Sequence, residues 1–305
     1  MAKENYVYVI GQLRKEPFVV KNKDTGRPTE GAMFLTTIRR GLYDAAGNFS
    51  PRWDKPLIRT KDPRLAKKML EFKVNDIIEA KCCIVTHHVK KIVKCPDCGT
   101  KQERESILVY LTPVSLTLRN RPEGETAATA ILMDPDVAEM SNIAHVIGRV
   151  CNEDGVRYTN DNAGHTKANY QIAVNRKFMV YGSRMDRLST DDETQEDRAD
   201  YPWVVSYGKV ADDDKKQLVQ GSLIYIDGYV HTQTYKQKTI CDNECCQKEF
   251  EFPCQAMQLT PYSNEYLEGC NLVDSVLTFR PRGHSVIPAG LEPSILALKG
   301  LCPNL

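Results

Sequence analysis

Several things are missing from this 305-residue sequence, and each absence closes off a class of function. No apolar stretch approaches the roughly 20 residues needed to span a bilayer, which speaks against a membrane-spanning chain. No basic start leads into an apolar run, so no secretory signal is expected, and a cytoplasmic location with reduced thiols follows. There is no glycine-rich phosphate loop. The acidic residues fall mostly in loops and form no strand-borne carboxylate cluster of the kind a metal-dependent DNA-processing enzyme needs. No catalytic activity is expected. An excess of charge of one sign also seems to be lacking, since the formal net charge is +1. That total conceals an asymmetry. Residues 1–125 hold 24 Lys+Arg against 15 Asp+Glu, and residues 126–305 hold 17 against 25. Much of the acid lies in 186–200 (DRLSTDDETQEDRAD) and 212–214, which read as solvated loops, so the first half is where phosphate would be attracted.

What is present is a repeat. Residues 5–13 (NYVYVIGQL) and 142–150 (NIAHVIGRV) share Val-Ile-Gly at an offset of 137. Residues 75–86 (NDIIEAKCCIVT) parallel 221–232 (GSLIYIDGYVHT) at an offset of 146, and on that offset Cys95 falls on Cys241. The acidic loop after Phe178 can supply the extra residues. Each copy reads as short strands between turn signals, the pattern of an all-β sandwich or barrel. One helix is expected per copy, at 63–72 (PRLAKKMLEF) and 209–219. The organisation is a first domain at 1–125, a linker at 126–140, a second domain at 141–270 and a C-terminal tail at 271–305.

The second copy resembles the bacterial single-stranded DNA-binding protein family. The resemblance rests on 142–158 (NIAHVIGRVCNEDGVRY), 169–178 (NYQIAVNRKF) and, most specifically, 201–235 (YPWVVSYGKVADDDKKQLVQGSLIYIDGYVHTQTY). The first copy is similar mainly through the second. The resemblance implies two tandem five-stranded oligonucleotide-binding (OB-fold) barrels, each with a short helix and a Cys-containing loop insertion. It implies sequence-independent binding of single-stranded DNA in replication, recombination or repair, with proteins of those processes as possible partners. Carried over residue by residue, the base-stacking positions are Phe178, Tyr201, Tyr207 and Tyr235, and Trp203 shares the strand parity of Tyr201. Arg176 and Lys177 adjoin Phe178; in the first copy Arg39 and Arg40 precede Tyr43, and Arg52 and Lys55 flank Trp53, all suited to phosphate. Val89, with His87 and His88 beside it, stands where the second copy has Tyr235, so the first copy is expected to rely more on charge. The competing reading is an OB-fold interaction module of a replication complex that lacks strong DNA binding.

The 11 cysteines suggest metal or packing in preference to disulfides. Cys95-Pro96-Asp97-Cys98 is half of a zinc ribbon, since a C-x-x-C turn aims two thiolates at one ion. The second copy offers Cys241, Cys245, Cys246 and Cys254, with His231 as a further candidate. Either the second copy builds its own structural zinc site, or Cys95 and Cys98 meet its cysteines in one site shared between the copies, or the thiols carry no metal. Cys82, Cys83, Cys151, Cys270 and Cys302 read as core or surface residues. The tail is too apolar for a disordered linker, with Val276, Leu277, Phe279 and Ile295 among its residues. It is expected to pack on its own barrels or to mediate self-association.

Overall fold

The computed structural model describes residues 4–39, 47, 51–152, 155–160, 164–175 and 199–271. Arg40, Tyr43, Arg176, Lys177, Phe178, most of the acidic loop and nearly all of the tail lie outside the described residues. The first copy runs β1 (Asn5–Leu13), β2 (Phe18–Lys21), β3 (Pro28–Ile38), β4 (Trp53–Asp54), β5 (Leu57–Thr60), α1 (Pro63–Met69), β6 (Ile77–Lys94) and β7 (Lys101–Asn120). Two helices follow, α2 (Glu125–Met133) and α3 (Pro135–Met140). The second copy repeats the order as β8 (Asn142–Val150), β9 (Arg157–Asn160), β10 (Thr166–Asn175), β11 (Ala199–Asp200), β12 (Trp203–Tyr207), α4 (Gly208–Gln217), β13 (Leu223–Ile240) and β14 (Glu249–Glu268). Among the described residues no helix is long and apolar enough to cross a membrane.

The all-β expectation holds, and the pairings close. β1 pairs with β3 and β6, β3 with β5, β5 in parallel with β7, and β7 with β6, which returns to β1. The second copy closes the same ring through β8, β10, β12, β14 and β13. Gly11 and Gly148, the glycines of the shared Val-Ile-Gly, sit where the first strand of each ring turns from one partner to the other. A Cβ on Gly11 would meet Leu35 Cβ at 2.8 Å, and one on Gly148 would meet Ile172 Cδ1 at 2.9 Å. The repeated glycine therefore marks the close approach that shuts each ring.

The two rings join edge to edge. β1 pairs antiparallel with β8, Asn5 opposite Val146, Val7 opposite Ala144 and Val9 opposite Asn142. Under the offset of 137 this register maps onto itself about Val7 and Ala144, so the copies are related by a local two-fold. Asn5 and Asn142 seal it alike. Asn5 exchanges hydrogen bonds of 3.1 and 2.9 Å with the Ile84 backbone, and Asn142 exchanges bonds of 2.9 and 3.1 Å with that of Val230. One apolar core runs through both copies and includes Val7, Val9, Ala144 and Val146.

The segment expected as a linker is helical and packed. Ala128, Leu132 and Ala138 bury themselves against Ile10, Ile38 and Ile77. Asp134 caps α3 through the Asp136 N–H at 3.0 Å. Ser141 then fastens the entry to β8, its hydroxyl donating to Ile10 O at 2.8 Å and accepting from the Ile38 N–H at 3.1 Å.

Candidate functional site

The strands beyond each ring make two arms. Pairing between β6 and β7 runs without a break in chain order from Ile77 and Asn120 to Lys94 and Lys101. That between β13 and β14 runs from Leu223 and Glu268 to Ile240 and Glu249. Register shifts fall at Ile77/Ile78 and Lys81/Cys82 in the first arm and at the corresponding Leu223/Ile224 and Asp227/Gly228 in the second. Such shifts bend a ribbon and increase its twist, which lets each arm leave its ring. The sequence reading ended these strands near Thr86 and Thr234; alternating burial continues past both, to Val93 and Cys95 in the first arm.

Between the arms lies a trough of about 520 Å³. His88, Ile107 and Val109 of the first copy line one side; Trp203, Tyr235, Gln237 and Met257 of the second line the other. Trp203 and Tyr235, read from sequence as stacking residues, thus meet at one surface although 32 positions separate them. Tyr235 is 43% exposed. Two polar atoms in the trough, Asn169 Oδ1 and Gln258 Nε2, are buried without a hydrogen-bond partner. An orphaned acceptor and an orphaned donor on one wall are a cost to the fold unless something polar meets them. Tyr201 and Tyr207 are also exposed, at 36% and 47%, but neither lines the trough. The Tyr201 N–H donates to Thr86 Oγ1 of the first copy at 2.9 Å, so this edge of the second ring is held against the first.

Two residues expected at the surface are engaged elsewhere. Arg39 Nε donates to Asp54 Oδ2 at 2.7 Å, and Arg39 Nη2 lies 2.8 Å from His231 Nδ1. Asp54 is fully buried and also accepts from the Thr232 N–H at 2.7 Å, so this cluster joins the two copies. A charge pair so enclosed is structural, and Arg39 is corrected from a phosphate contact to an inter-copy brace. His231, held there, is no metal ligand. Trp53 packs against the α2–α3 cluster instead of presenting a stacking face. Arg52 and Lys55 remain exposed. The sequence gave no sign of the brace, because Asp54 and His231 meet only through tertiary pairing.

At the arm tips Cys95, Cys98, Cys241 and Cys246 converge, every sulfur within 4.8 Å of the others. Cys98 Sγ lies 3.4 Å from Cys241 Sγ, and Cys95 Sγ 4.0 Å from Cys246 Sγ. Corners of a tetrahedron of Zn–S bonds of about 2.3 Å are about 3.8 Å apart, so the four thiols can hold a metal ion. Hydrogen bonds at Thr100 draw the Cys98 thiol down to about 6. The Cys241 thiol is pushed up to about 12; a backbone hydrogen bond at Asn243 opposes the rise, and burial with the neighbouring thiols drives it. Two of the candidate ligands are not part of this group. Cys245 is exposed, and Cys254 is buried beside Phe250 and Phe252 with its sulfur 3.4 Å from Gln237 Oε1.

Comparison with known proteins bears on the same regions. Residues 141–251 match the model of the single-strand binding protein family. Two solved structures share the fold. A deletion variant of the single-stranded DNA binding protein from Thermus aquaticus is 14% identical, with a TM-score of 0.55, and the match covers 88% of this chain and 97% of that one. The wild-type protein from the same organism is 12% identical, with a TM-score of 0.51 and coverage of 88% and 95%. No curated protein matches the chain.

Proposed function

Residues 141–251 belong to the single-strand binding protein family, and from that premise we propose that the chain binds single-stranded DNA and catalyses no reaction. Its role is to cover and protect exposed strands in replication, recombination or repair, with each ring acting as an oligonucleotide-binding barrel. The observation that carries this reading is the meeting of Trp203 and Tyr235 in one trough. Every base has a π-face, so stacking on such rings is tolerant of sequence and contributes roughly 1–3 kcal/mol per base. The unpaired Asn169 Oδ1 and Gln258 Nε2 offer an acceptor and a donor to a base edge or a bridging water. Exposed Arg52 and Lys55 supply charge for phosphate at the first copy. A structural zinc ion on the four tip thiols is compatible with this role, since it does not enter the trough.

Fluorescence anisotropy with labelled oligo(dT) and a duplex of equal length, across a salt series, tests the proposal. We expect tight binding of the single strand, weak binding of the duplex and affinity that falls with salt. Arg52→Glu with Lys55→Glu should flatten the log–log salt slope by about 1. Equal affinity for duplex, or none for either, would instead favour a barrel that serves protein interaction.

A further inference from the structure

We infer that Cys95, Cys98, Cys241 and Cys246 hold a single zinc ion shared by the two copies, a staple lying on their local two-fold. The ligand set is itself symmetric. Cys95 and Cys241 are equivalent at the offset of 146. Past the arm tips the offset becomes 148, as the positive-φ pair Gly99 and Gln247 and the pair Pro113 and Pro261 both show. On that offset Cys98 is equivalent to Cys246. The close sulfur pairs are Cys95 with Cys246 and Cys98 with Cys241, and exchanging the copies turns one pair into the other. Cys245 falls in the two-residue expansion of the second turn, which explains why it stands apart.

Neither copy can complete the site alone, because each brings two of its four thiols. The surroundings are those of a built site. Val93, Phe250, Phe252 and Cys254 pack beside Cys95 and Cys241 and exclude water from one side. Gln102 Nε2 donates to Ile240 O at 3.0 Å and its Oε1 accepts from the Asp242 N–H at 2.9 Å. Arg104 grips Asp242 with bonds of 2.6 and 2.9 Å. These contacts hold the two tips in register without metal, so the thiols are brought together before an ion arrives. Four soft thiolates in a tetrahedron select zinc over hard cations. Binding transfers the remaining thiol protons to solvent and involves no change of oxidation state.

The staple joins the arms at one end, and the β1–β8 pairing joins the copies at the other. The trough lies between them, so the ion sets how far the arms can part. That last step rests on reading the trough as the DNA path.

Native mass spectrometry and metal analysis of the full chain should give one zinc per molecule. Cobalt(II) exchanged into the unmodified protein should show the absorption of a tetrahedral tetrathiolate, again at one ion per chain. Cys98→Ser and Cys246→Ser should each abolish tight binding, while Cys245→Ser leaves it intact. Chelation should raise hydrogen exchange in both arm tips, residues 90–104 and 237–252, together. Two ions per chain, no ion, a pair of disulfides, or loosening of one tip alone would each overturn the staple. Oligo(dT) affinity should fall about tenfold on chelation, as the two walls lose their fixed spacing. Unchanged affinity would overturn the link to the trough while leaving the metal site standing. A zinc-loaded chain with no affinity for single strands would defeat the DNA reading without touching the staple.

Discussion

The two copies close the same ring of strands but seat their helices by opposite means. In the first, α1 presents buried Ala66 and Met69 to β3, and Gly31 makes the room; a Cβ there would meet Met69 Sδ at 2.6 Å. In the second, α4 drives a fully buried carboxylate, Asp214, into the ring. It accepts from Ser206 Oγ at 2.6 Å, Tyr170 Oη at 3.1 Å, Asn264 Nδ2 at 2.7 Å and Tyr266 Oη at 2.8 Å. The candidate faces diverge as well. At the offset of 146, Tyr201, Trp203, Tyr207 and Tyr235 stand opposite Lys55, Leu57, Lys61 and Val89. A shared backbone therefore fixes where side chains project, and the sequence decides whether a face offers rings or charge.

The sharpest way to break this comparison is to remove the rings from one copy and their counterparts from the other. Trp203→Ala with Tyr235→Ala should weaken oligo(dT) binding by roughly 2–6 kcal/mol if both rings stack. Leu57→Ala with Val89→Ala should leave affinity nearly unchanged. Equal losses in the two double variants, measured by anisotropy at one salt concentration, would show that the copies do not divide the work.

The helix seats should respond differently to conservative change. An apolar seat tolerates a swap of similar volume, so Met69→Leu should cost less than about 1.5 kcal/mol. A directional seat does not. Asp214→Asn puts an amide donor among four donors and should cost about 1–3 kcal/mol in chemical denaturation. Equal costs would mean that the polar seat is as forgiving as the apolar one.

The smallest expected effect is in pH dependence, where the copies carry carboxylates shifted in opposite directions. Burial works to raise Asp76, but Arg121, bonded at 2.8 Å to each oxygen, and the Lys73 N–H hold it below the usual carboxylate range. Its folded value is the lower one, so its stabilisation is present above about pH 4 and is lost as pH falls through that value. Burial holds Asp214 above the usual range, against the pull of its hydrogen bonds. Its contribution is present below about pH 4 and is lost as pH rises through the higher folded value. Asp76→Asn should flatten the acid limb of a stability–pH profile, and Asp214→Asn should change the opposite limb. Identical changes in both variants would contradict these assignments.

Much of this was legible from the sequence because local physics wrote it twice. Val-Ile-Gly recurs because each ring closes through a glycine, and the Pro63 start of α1 and the strand–Gly–Lys–helix order of the second copy fall where expected. The convergence of Trp203 with Tyr235 followed from the family resemblance. What stayed hidden depends on contacts distant in sequence. Arg39 reads as a free cation until Asp54 and His231 close on it. The stretch 126–140 reads as a tether because its few apolar residues acquire a partner only once Ile10, Ile38 and Ile77 lie side by side. The shared thiol site was one of several open readings, since spacing alone cannot say which copies' cysteines meet.

The packed α2–α3 connection has a further consequence. Two separate rings joined only through β1 and β8 would come apart on dilution, at a concentration set by their affinity. Here the connection lies against the same strand that makes the pairing, and the encounter is intramolecular. The paired rings should therefore persist at protein concentrations far below those at which a dimer built on the same five residue pairs would dissociate, and a nick within 126–140 would restore a dependence on concentration.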